Sequence, residues 1–398
     1  MSVTLKQLYT AEGNPFSLEL RAGRGGSENI VSWIYMLEDE HIIPWFKGGE
    51  LAVTTGVKQA EDSSWLLRLV KELSGAHSAG LIINTGKFIF DLPPEVLAYC
   101  DEQEFPLMTM PWEVPITEMT QSFCVSIIDS RQAGQIHDQA MRDALLRHDN
   151  EEEFRRILST YYDLDADFTV IAIYPRYRAE GKPELLSSHL NSLWYLLESR
   201  LSRMKQRLHL HRTRIGLIRH ENLQLLIVNR STDELLDGIR QTALETYREV
   251  MPDHDIFLGI GIRVSGLAGI NSSFRRAVTA MRMAIYRDTP VIEFEQMGFY
   301  KILFSVDDEQ ILYAYADEIL APLDEYDSRG HDYTDLLKSY IRNDRSLEAT
   351  AEALYLHRNT VNYRIRKMQE LLGSPLKTVE DLFPYQVALS IRDMRGSK

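Results

Sequence analysis

The spacing of apolar residues in the first third of the chain predicts an alternation of strands and helices. Short apolar runs suited to strands occur at 51–54, 80–83 and 106–110, and amphipathic stretches suited to helices separate them at 65–73 and 95–101. Strands that alternate with helices usually form βαβ units. We therefore predict an α/β domain with a largely parallel sheet.

The middle of the chain has a different pattern, with paired strands and one long helix. Residues 168–174 alternate as a strand, and 215–228 have the pattern of two strands joined at His220-Glu221-Asn222. A further strand is predicted at 256–264 and a helix at 271–286. This order predicts an α+β domain.

The stretch that joins these two regions has the pattern of a long helix or a helix pair. Residues 116–147 contain no proline and one glycine, and place apolar side chains at Met119, Phe123, Ile127 and Ile128. An apolar stripe on such a connector either forms a dimer seam or packs against its own domain. The pattern alone favours neither.

Three short helices are predicted near the C-terminus. The first spans 335–341, the second follows Ser346 as N-cap, and the third ends at Gly373. Apolar side chains on the third helix recur at Val361, Ile365, Met368 and Leu372. Two short helices joined through Tyr355 and Leu356 match the spacing of a helix-turn-helix.

The outward face of the third predicted helix is suited to DNA. The net charge of the chain is −14, but from His331 onward 11 basic residues face 9 acidic ones, against 33 and 49 in the first 330 residues. Asn and Arg side chains can contact adenine and guanine edges, while Thr, Tyr and Lys can hold phosphates. The predicted DNA-binding residues are Arg358, Asn359, Thr360, Asn362, Tyr363, Arg364, Arg366 and Lys367, with Asn359, Tyr363 and Arg366 contacting bases.

Little in the sequence suggests a catalytic or metal site. Cys100 and Cys124 are the two cysteines, and neither lies in a Cys/His spacing typical of zinc sites. We find no catalytic set, and we expect no cofactor and no bound metal. No apolar run approaches the length of a membrane span and no signal peptide is evident, so we expect a cytoplasmic protein without membrane contact.

The ends of the predicted parallel strands are candidates for a ligand site. Ligands of open parallel sheets gather at the carboxyl ends of the strands. Those ends here are Thr54-Thr55-Gly56, Asn84-Thr85-Gly86 and Pro111-Trp112-Glu113. The same residue types also close ordinary turns. The predicted ligand-binding residues from these ends are Thr54, Thr55, Gly56, Asn84, Thr85, Gly86 and Trp112.

Two segments resemble the PucR family of bacterial regulators. Residues 349–354 and 356–364, ATAEAL and LHRNTVNYR, are similar to the family's C-terminal helix-turn-helix. Residues 44–56, PWFKGGELAVTTG, resemble the signature of its N-terminal domain, and that likeness extends to about residue 128. The resemblance implies a sensor domain with a metabolite input and adds Glu50 to the predicted ligand-binding residues.

The middle region resembles the GGDEF-like domain of such regulators. An active nucleotide cyclase carries Gly-Gly-Asp/Glu-Glu-Phe in its hairpin, where carboxylates hold metal. The matching turn, Arg219-His220-Glu221-Asn222-Leu223, lacks both glycines and one carboxylate, so we expect no cyclase activity. Gly259 and Gly261 lack the rest of a phosphate-binding loop, and we expect them to permit close packing.

Together these observations predict four segments and one function. The segments are a sensor domain at 1–128, a helical linker at 129–160, a non-catalytic GGDEF-like domain at 161–328 and a DNA-binding domain at 329–398. The resemblance implies a ligand-responsive regulator, usually an activator of catabolic genes for a purine-derived compound or an amino acid. It would bind double-stranded operator DNA as a homodimer or higher homo-oligomer. The alternative is a signalling adaptor or degenerate cyclase-like protein whose C-terminal helices bind a protein partner.

Overall fold

A computed structural model describes residues 2–38, 40–57, 64–146, 151–178, 186–306 and 308–396. The chain divides into two compact units. The first contains residues 1–281 and 290–295, and the second contains residues 282–289 and 296–398.

The N-terminal domain of the first unit is an α/β domain, as the alternating pattern predicts. Its strands are β1 (Glu19–Ala22), β2 (Trp33–Met36), β3 (Glu50–Thr54), β4 (Gly80–Thr85) and β5 (Leu107–Pro111). Its helices are α1 (Leu5–Thr10), α2 (Trp65–Gly75) and α3 (Pro94–Glu102). The strands lie in the order β1-β5-β4-β3-β2, and all neighbours are parallel except β1 and β5. The prediction of a largely parallel sheet is confirmed.

Alternate side chains of this sheet bury on opposite faces, because successive residues of a strand point to opposite sides. Along β3, Ala52 packs with Leu69 of α2 and Val96 of α3. Its neighbours Leu51 and Val53 pack on the other face with Leu5 of α1. Both faces are therefore covered by helices.

A single helix, α4 (Ile116–Leu146), leaves this domain and leads to α5 (Glu151–Leu158). Met119, Phe123 and Ile127 are buried in the core of the N-terminal domain, whereas Ile128 is 41 % exposed. For these three residues the intradomain alternative holds. The first part of this helix thus belongs to the core of the N-terminal domain.

The middle domain of the first unit has a mostly antiparallel sheet. Its strands are β6 (Asp167–Tyr177), β7 (Arg214–His220), β8 (Leu223–Asn229), β9 (His254–Ile260), β10 (Val264–Ser265) and β11 (Val291–Glu293). Its helices are α6 (Leu186–Arg207), α7 (Asp233–Val250) and α8 (Ile270–Tyr286), the last of which ends in the second unit. The strand order is β11-β9-β6-β8-β7, with β10 paired to β6. Apolar residues of α6 and α7 cover one face.

Gly259 and Gly261 of the middle domain bring the sheet close to α8. A β-carbon on Gly259 would lie 2.1 Å from the carbonyl oxygen of Ala277, and one on Gly261 would lie 2.2 Å from that of Ser273. These backbone approaches require the absence of a side chain. The expectation that the glycines permit close packing agrees with this geometry.

The second unit is helical in its described part, in agreement with the predicted all-α C-terminal domain. Its helices are α9 (Tyr300–Leu303), α10 (Glu309–Asp327), α11 (Tyr333–Arg342), α12 (Leu347–Ala353), α13 (Arg358–Leu372) and α14 (Val379–Gly396). Leu320 and Leu323 of α10 share one core with Leu336 of α11 and Val361 of α13.

The structure therefore moves the boundary of the C-terminal unit. Residues 296–328 were expected in the middle domain, but they belong to the same compact unit as the helix-turn-helix. The physical reason is the apolar face of α10, which is buried against the helices that follow it. Among the described helices of the whole chain, none has the length and apolar character needed to cross a membrane.

Candidate functional site

Helices α12 and α13 of the second unit form the predicted helix-turn-helix, and side chains define where each begins. The hydroxyl oxygen of Ser346 accepts a hydrogen bond from the Ala349 amide at 3.2 Å. The ring Nδ1 of His357 accepts one from the Asn359 amide at 3.2 Å. Gly373 ends α13 in the left-handed conformation, with φ of 59°, which glycine adopts without strain.

The buried face of α13 fixes which side chains point outward. Val361, Ile365 and Met368 are at most 4 % exposed and pack in the core of the unit. At 100° per residue, Asn359 and Arg366 lie on the opposite side of the helix, and both are exposed. The outward face that the spacing predicts is therefore present.

The eight predicted DNA-binding side chains differ in how far they are exposed. Arg358, Asn359, Thr360, Tyr363 and Arg366 are exposed, and Tyr363 is 71 % exposed. The other three are half-buried, because they lie nearer the core-facing stripe of α13. These three are Asn362, Arg364 and Lys367.

Basic side chains of α13 carry weak surface ion pairs. Arg358 Nη1 lies 3.4 Å from Glu348 Oε1, and Lys367 Nζ lies 3.0 Å from Glu370 Oε2. The hydrogen bond with Glu370 raises the pKa of Lys367. Exposed pairs of this kind contribute little to stability, so a phosphate can replace either carboxylate at small cost. Arg366 has no ion pair within the described residues.

Tyr355, in the turn between α12 and α13, is a surface residue that the sequence pattern did not single out. It is 97 % exposed and has φ of 53°, a left-handed conformation rare for an aromatic residue. The sequence pattern treats it as a turn residue only.

The carboxyl edge of the N-terminal sheet collects most of the predicted ligand-binding residues. Thr54, Asn84 and Trp112 lie at or next to the carboxyl ends of β3, β4 and β5. These ends meet at one edge of the sheet because the strands are parallel neighbours. Thr55, Gly56, Thr85 and Gly86 lie beside them. The structure thus brings together seven of the eight predicted residues.

Hydrogen bonds within the domain already occupy the polar side chains at this edge. Thr55 Oγ1 donates to Glu38 Oε1 at 2.6 Å, and Asn84 Nδ2 donates to the carbonyl oxygen of Pro111 at 3.0 Å. Thr85 Oγ1 donates to that of Met110 at 3.4 Å. A β-carbon on Gly56 would lie 2.5 Å from Ile89 Cδ1, so little space remains there. These contacts hold the turns in shape.

Trp112 at this edge packs against neighbouring side chains. Its ring lies 5.5 Å from the ring of Phe88, edge to face, and the Lys87 ammonium lies 4.4 Å from its centre. Gly86 donates its amide hydrogen to the Ile89 carbonyl oxygen at 2.9 Å. The turn after β4 therefore folds over the indole ring.

Glu50, the eighth predicted residue, lies at the other edge of the sheet. It begins β3, whereas Thr54 ends it. Its Oε1 accepts a hydrogen bond from the Lys47 amide at 2.6 Å, and its side chain is buried. Burial raises the pKa of Glu50 above its ordinary value. Glu50 therefore cannot share a ligand contact with the residues of the carboxyl edge without a rearrangement of the sheet.

Side chains of the β7–β8 hairpin of the middle domain pack against neighbouring aromatic rings. Its His220 ring lies 6.1 Å from the ring of Phe274, and the Arg219 guanidinium lies 4.8 Å from the centre of the Trp194 ring. Burial lowers the pKa of Arg219. In the described part of the chain, no group of three or more His, Cys, Asp or Glu side chains is placed to hold a metal ion.

The order of these parts defines a class of protein. A covered α/β domain, a mixed-sheet domain with a modified hairpin and a helical unit with a helix-turn-helix follow one another along the chain. This combination is a multidomain helix-turn-helix protein.

Comparison with protein families shows which family each part of the chain matches. Residues 11–127 match the purine catabolism regulatory protein-like family, 147–283 a GGDEF-like domain, and 333–391 the PucR C-terminal helix-turn-helix domain. The chain belongs to the PucR family.

Relatives from Bacillus subtilis (strain 168) are similar over part of their length. The chain is 27% identical to the "Purine catabolism regulatory protein" over 112 residues, 28% of this chain and 21% of that protein. It is 21% identical to the "DNA-binding transcriptional activator AdeR" over 181 residues, 44% of this chain and 43% of the relative. It is 29% identical to the "Proline-responsive transcriptional activator PutR" over 127 residues, 30% of each. The matches thus span less than half of each relative.

Among the solved structures that match the chain is the regulator of polyketide synthase expression from Bifidobacterium adolescentis, with 19% identity and a TM-score of 0.28. The match covers 66% of this chain and 98% of that one. So low a score supports no conclusion about this chain.

Proposed function

We propose that this protein is a ligand-responsive, DNA-binding transcriptional regulator. It activates catabolic genes for a nitrogenous metabolite, either a purine-derived compound or an amino acid, and acts in the bacterial cytoplasm. The observation that carries the proposal is the outward face of α13, which presents Asn359, Tyr363 and Arg366 opposite a buried apolar stripe.

Each side chain of this face has a proposed role in the DNA complex. Asn359, Tyr363 and Arg366 contact base edges, because they lie farthest from the core. The side chains flanking them lie nearer the groove walls and hold the DNA backbone, which fixes the register of the helix. The flanking residues are Arg358, Thr360, Asn362, Arg364 and Lys367.

The names of the relatives support the kind of function and the kind of ligand. Two of them are described as transcriptional activators, one of which is proline-responsive, and another as a regulator of purine catabolism. A nitrogenous metabolite is the chemistry that these descriptions share. We therefore place the effector of this chain in that class.

A homodimer, or a higher homo-oligomer, follows from the geometry of recognition. One helix in one major groove reads only a few base pairs, so regulators of this kind pair two helices on half-sites about 34–36 Å apart. The described part of the chain contains one such helix-turn-helix, at α12 and α13. A second copy supplies the other.

The middle domain acts as a structural spacer and not as an enzyme. The turn Arg219-His220-Glu221-Asn222-Leu223 lacks the glycines and one of the carboxylates of a cyclase hairpin. Gly259 and Gly261 support helix packing, as the approach of α8 indicates. The domain therefore contributes contacts and orientation.

A mobility-shift assay on the DNA upstream of the chain's own gene tests the proposal. The test variant is Asn359→Ala with Arg366→Ala, and the control is Arg248→Ala, an exposed arginine on α7. Each lost base contact costs about 1–3 kcal/mol, so the double variant should raise Kd by at least about 30-fold. The control should leave Kd within about twofold.

Two salt concentrations separate specific from nonspecific binding in the same assay. Phosphate contacts alone give an affinity that falls steeply with salt and discriminates little between sequences. Wild-type protein that prefers upstream DNA over random DNA, with the preference lost in the double variant, supports the regulator. Equal binding to both DNAs contradicts it and favours the adaptor alternative, in which α13 meets a protein partner.

A further inference from the structure

A cleft of about 480 Å³ lies at the amino edge of the N-terminal sheet, within the first unit. Gly49, Ser78 and Phe105 line one wall, and they precede β3, β4 and β5 respectively. The opposite wall comes from α6, with Tyr195 and Arg203, and from α7. This edge is opposite the carboxyl edge, where the sequence predicts the ligand site. Its volume lies in the range of ligand pockets, about 300–1,000 Å³.

Two polar groups in the cleft have unused hydrogen-bonding capacity. Ser78 is 5 % exposed, and its hydroxyl oxygen has no hydrogen-bond partner within the described part of the chain. The Arg203 side chain is 19 % exposed, and only its Nη1 has such a partner there, Glu104 Oε2 at 3.0 Å. A guanidinium offers five donor hydrogens. The buried Ser78 hydroxyl without a partner is costly, and a ligand with an acceptor atom removes that cost.

The charge balance of the cleft favours an anion. Its wall carries Lys71, Arg200 and Arg203 against Glu104 and Glu249. Both carboxylates are already engaged, since Glu104 binds Arg203 and Glu249 Oε2 lies 2.5 Å from Arg200 Nη2. One positive charge is left in excess. Burial lowers the pKa of the nearby His77 imidazole, which favours its neutral form.

We propose that this cleft is the effector site and that it binds a small metabolite carrying a carboxylate. The carboxylate accepts hydrogen bonds from Arg203 and Ser78, and the rest of the molecule lies against the rings of Tyr99 and Tyr195. The inference deepens the proposed function: it rests on the chain being ligand-responsive and gives the place and the chemical class of the ligand.

The position of the cleft also offers a way to transmit binding. Its two walls belong to different domains, which contact one another directly beside it. The Ile30 amide donates to Ser199 Oγ at 2.9 Å, and a β-carbon on Gly49 would lie 3.2 Å from Tyr195 Cγ. A ligand that contacts both walls favours the conformation in which they are together, and so shifts the population of the chain.

The sequence offers a matched pair of variants for the test. Arg203 and Arg207 both bind Glu104, the latter through Nη2 at 2.7 Å, but only Arg203 lines the cleft. The full chain is titrated by calorimetry with L-proline, allantoate and urate, each at millimolar concentration. Arg203→Met should weaken binding of a carboxylate probe about 10- to 100-fold, because a hydrogen bond to a charged group is lost. Arg207→Met should change Kd less than about twofold.

Ser78→Ala separates a ligand contact from a structural role and does not depend on how well Arg203→Met folds. Removal of an unpartnered hydroxyl should leave the thermal midpoint of the free protein unchanged or raise it. The same change should weaken binding of the carboxylate probe about 3- to 10-fold. If Ser78→Ala lowers the thermal midpoint and leaves the affinity for the probe unchanged, the proposal is contradicted.

The remaining outcomes distinguish this inference from the proposed function. If Thr85→Val weakens binding and Arg203→Met does not, the ligand lies at the carboxyl edge and the inference is overturned, while the regulator stands. If neither of the two carboxylate probes, L-proline and allantoate, binds the full chain, the carboxylate class is wrong, whether or not urate binds. DNA binding by the free chain is measured separately by mobility shift, so failure of the proposed function is visible on its own.

Discussion

Replacement of Gly259 by alanine tests whether this glycine serves helix packing or nucleotide binding. A β-carbon there would lie 2.1 Å from both the Ala277 carbonyl oxygen and the Met281 amide nitrogen, and 2.7 Å from Met281 Cα. All three atoms belong to the backbone of α8, so no rotation of a side chain relieves the clash. Ordinary contact begins near 3.4 Å, and α8 must therefore move from β9 by about 1 Å.

The size of the effect follows from that displacement. A methyl group added to a close-packed interior costs about 1–3 kcal/mol, and a gap of about 1 Å removes up to half of the dispersion energy along the helix face. We expect Gly259→Ala to lower the free energy of unfolding by about 3 kcal/mol. Gly75→Ala is the control, because Gly75 is exposed at the end of α2 and its β-carbon would meet no atom within 4 Å, so the free energy of unfolding should change by less than about 0.5 kcal/mol.

Urea unfolding of the full chain, followed by circular dichroism, measures both variants in the same compact unit. A calorimetric titration with GTP accompanies it. The packing interpretation is refuted if Gly259→Ala unfolds at the same urea concentration as Gly75→Ala. It is refuted equally if wild type binds GTP and Gly259→Ala abolishes that binding without loss of stability.

Two further predictions concern the helix-turn-helix and the cysteines. Ser346→Ala removes the side-chain acceptor at the start of α12 and should destabilise the second unit by about 1 kcal/mol, measured by thermal unfolding; an unchanged midpoint would show that this cap contributes nothing. Burial raises the pKa of the Cys100 thiol to about 12, so at pH 8 this thiol stays protonated and should resist a disulfide reagent until the chain unfolds in urea. If two thiols react rapidly in the folded wild type and only one reacts in folded Cys100→Ser, Cys100 is reactive in the folded chain and the expectation is wrong.

The elements with strong periodicity were predictable from the sequence, and they include the helix that carries the proposed DNA-binding surface. Strands β3, β4 and β5 are buried on both faces and so appear as continuous apolar runs. Helix α13 shows its buried stripe and its terminal Gly373 directly in the sequence. The outward face of α13 follows from that stripe by geometry alone.

Short edge strands were not predictable in the same way. In β2, only Ile34 is buried, and in β1 only Ala22 is. Strands with so few buried side chains form because a neighbour is present to pair with them, which is information outside the segment. The same holds for α10, whose membership in the second unit depends on a core assembled with α11 and α13.

The ligand site illustrates a different limit. The rule that ligands gather at the carboxyl edge predicts a set of residues that do lie together, but Glu38 and the backbone already satisfy their polar groups. The cleft at the amino edge is lined by both Ser78 and Arg203, which are far apart in the chain. No spacing within one segment indicates such a pair, because the cleft depends on how two domains pack.

The continuity of α4 has a consequence for how members of this family can vary in length. The helix spans about 46 Å at 1.5 Å per residue. Its first half is anchored by Phe123 in one domain, while Leu145 is buried near its other end and its carbonyl oxygen accepts a hydrogen bond from Asn271 of the middle domain. One residue inserted between these anchors would turn one domain about 100° against the other, whereas seven would nearly restore the phase. Hybrid chains that exchange N-terminal domains should therefore be joined so that this angular register is kept.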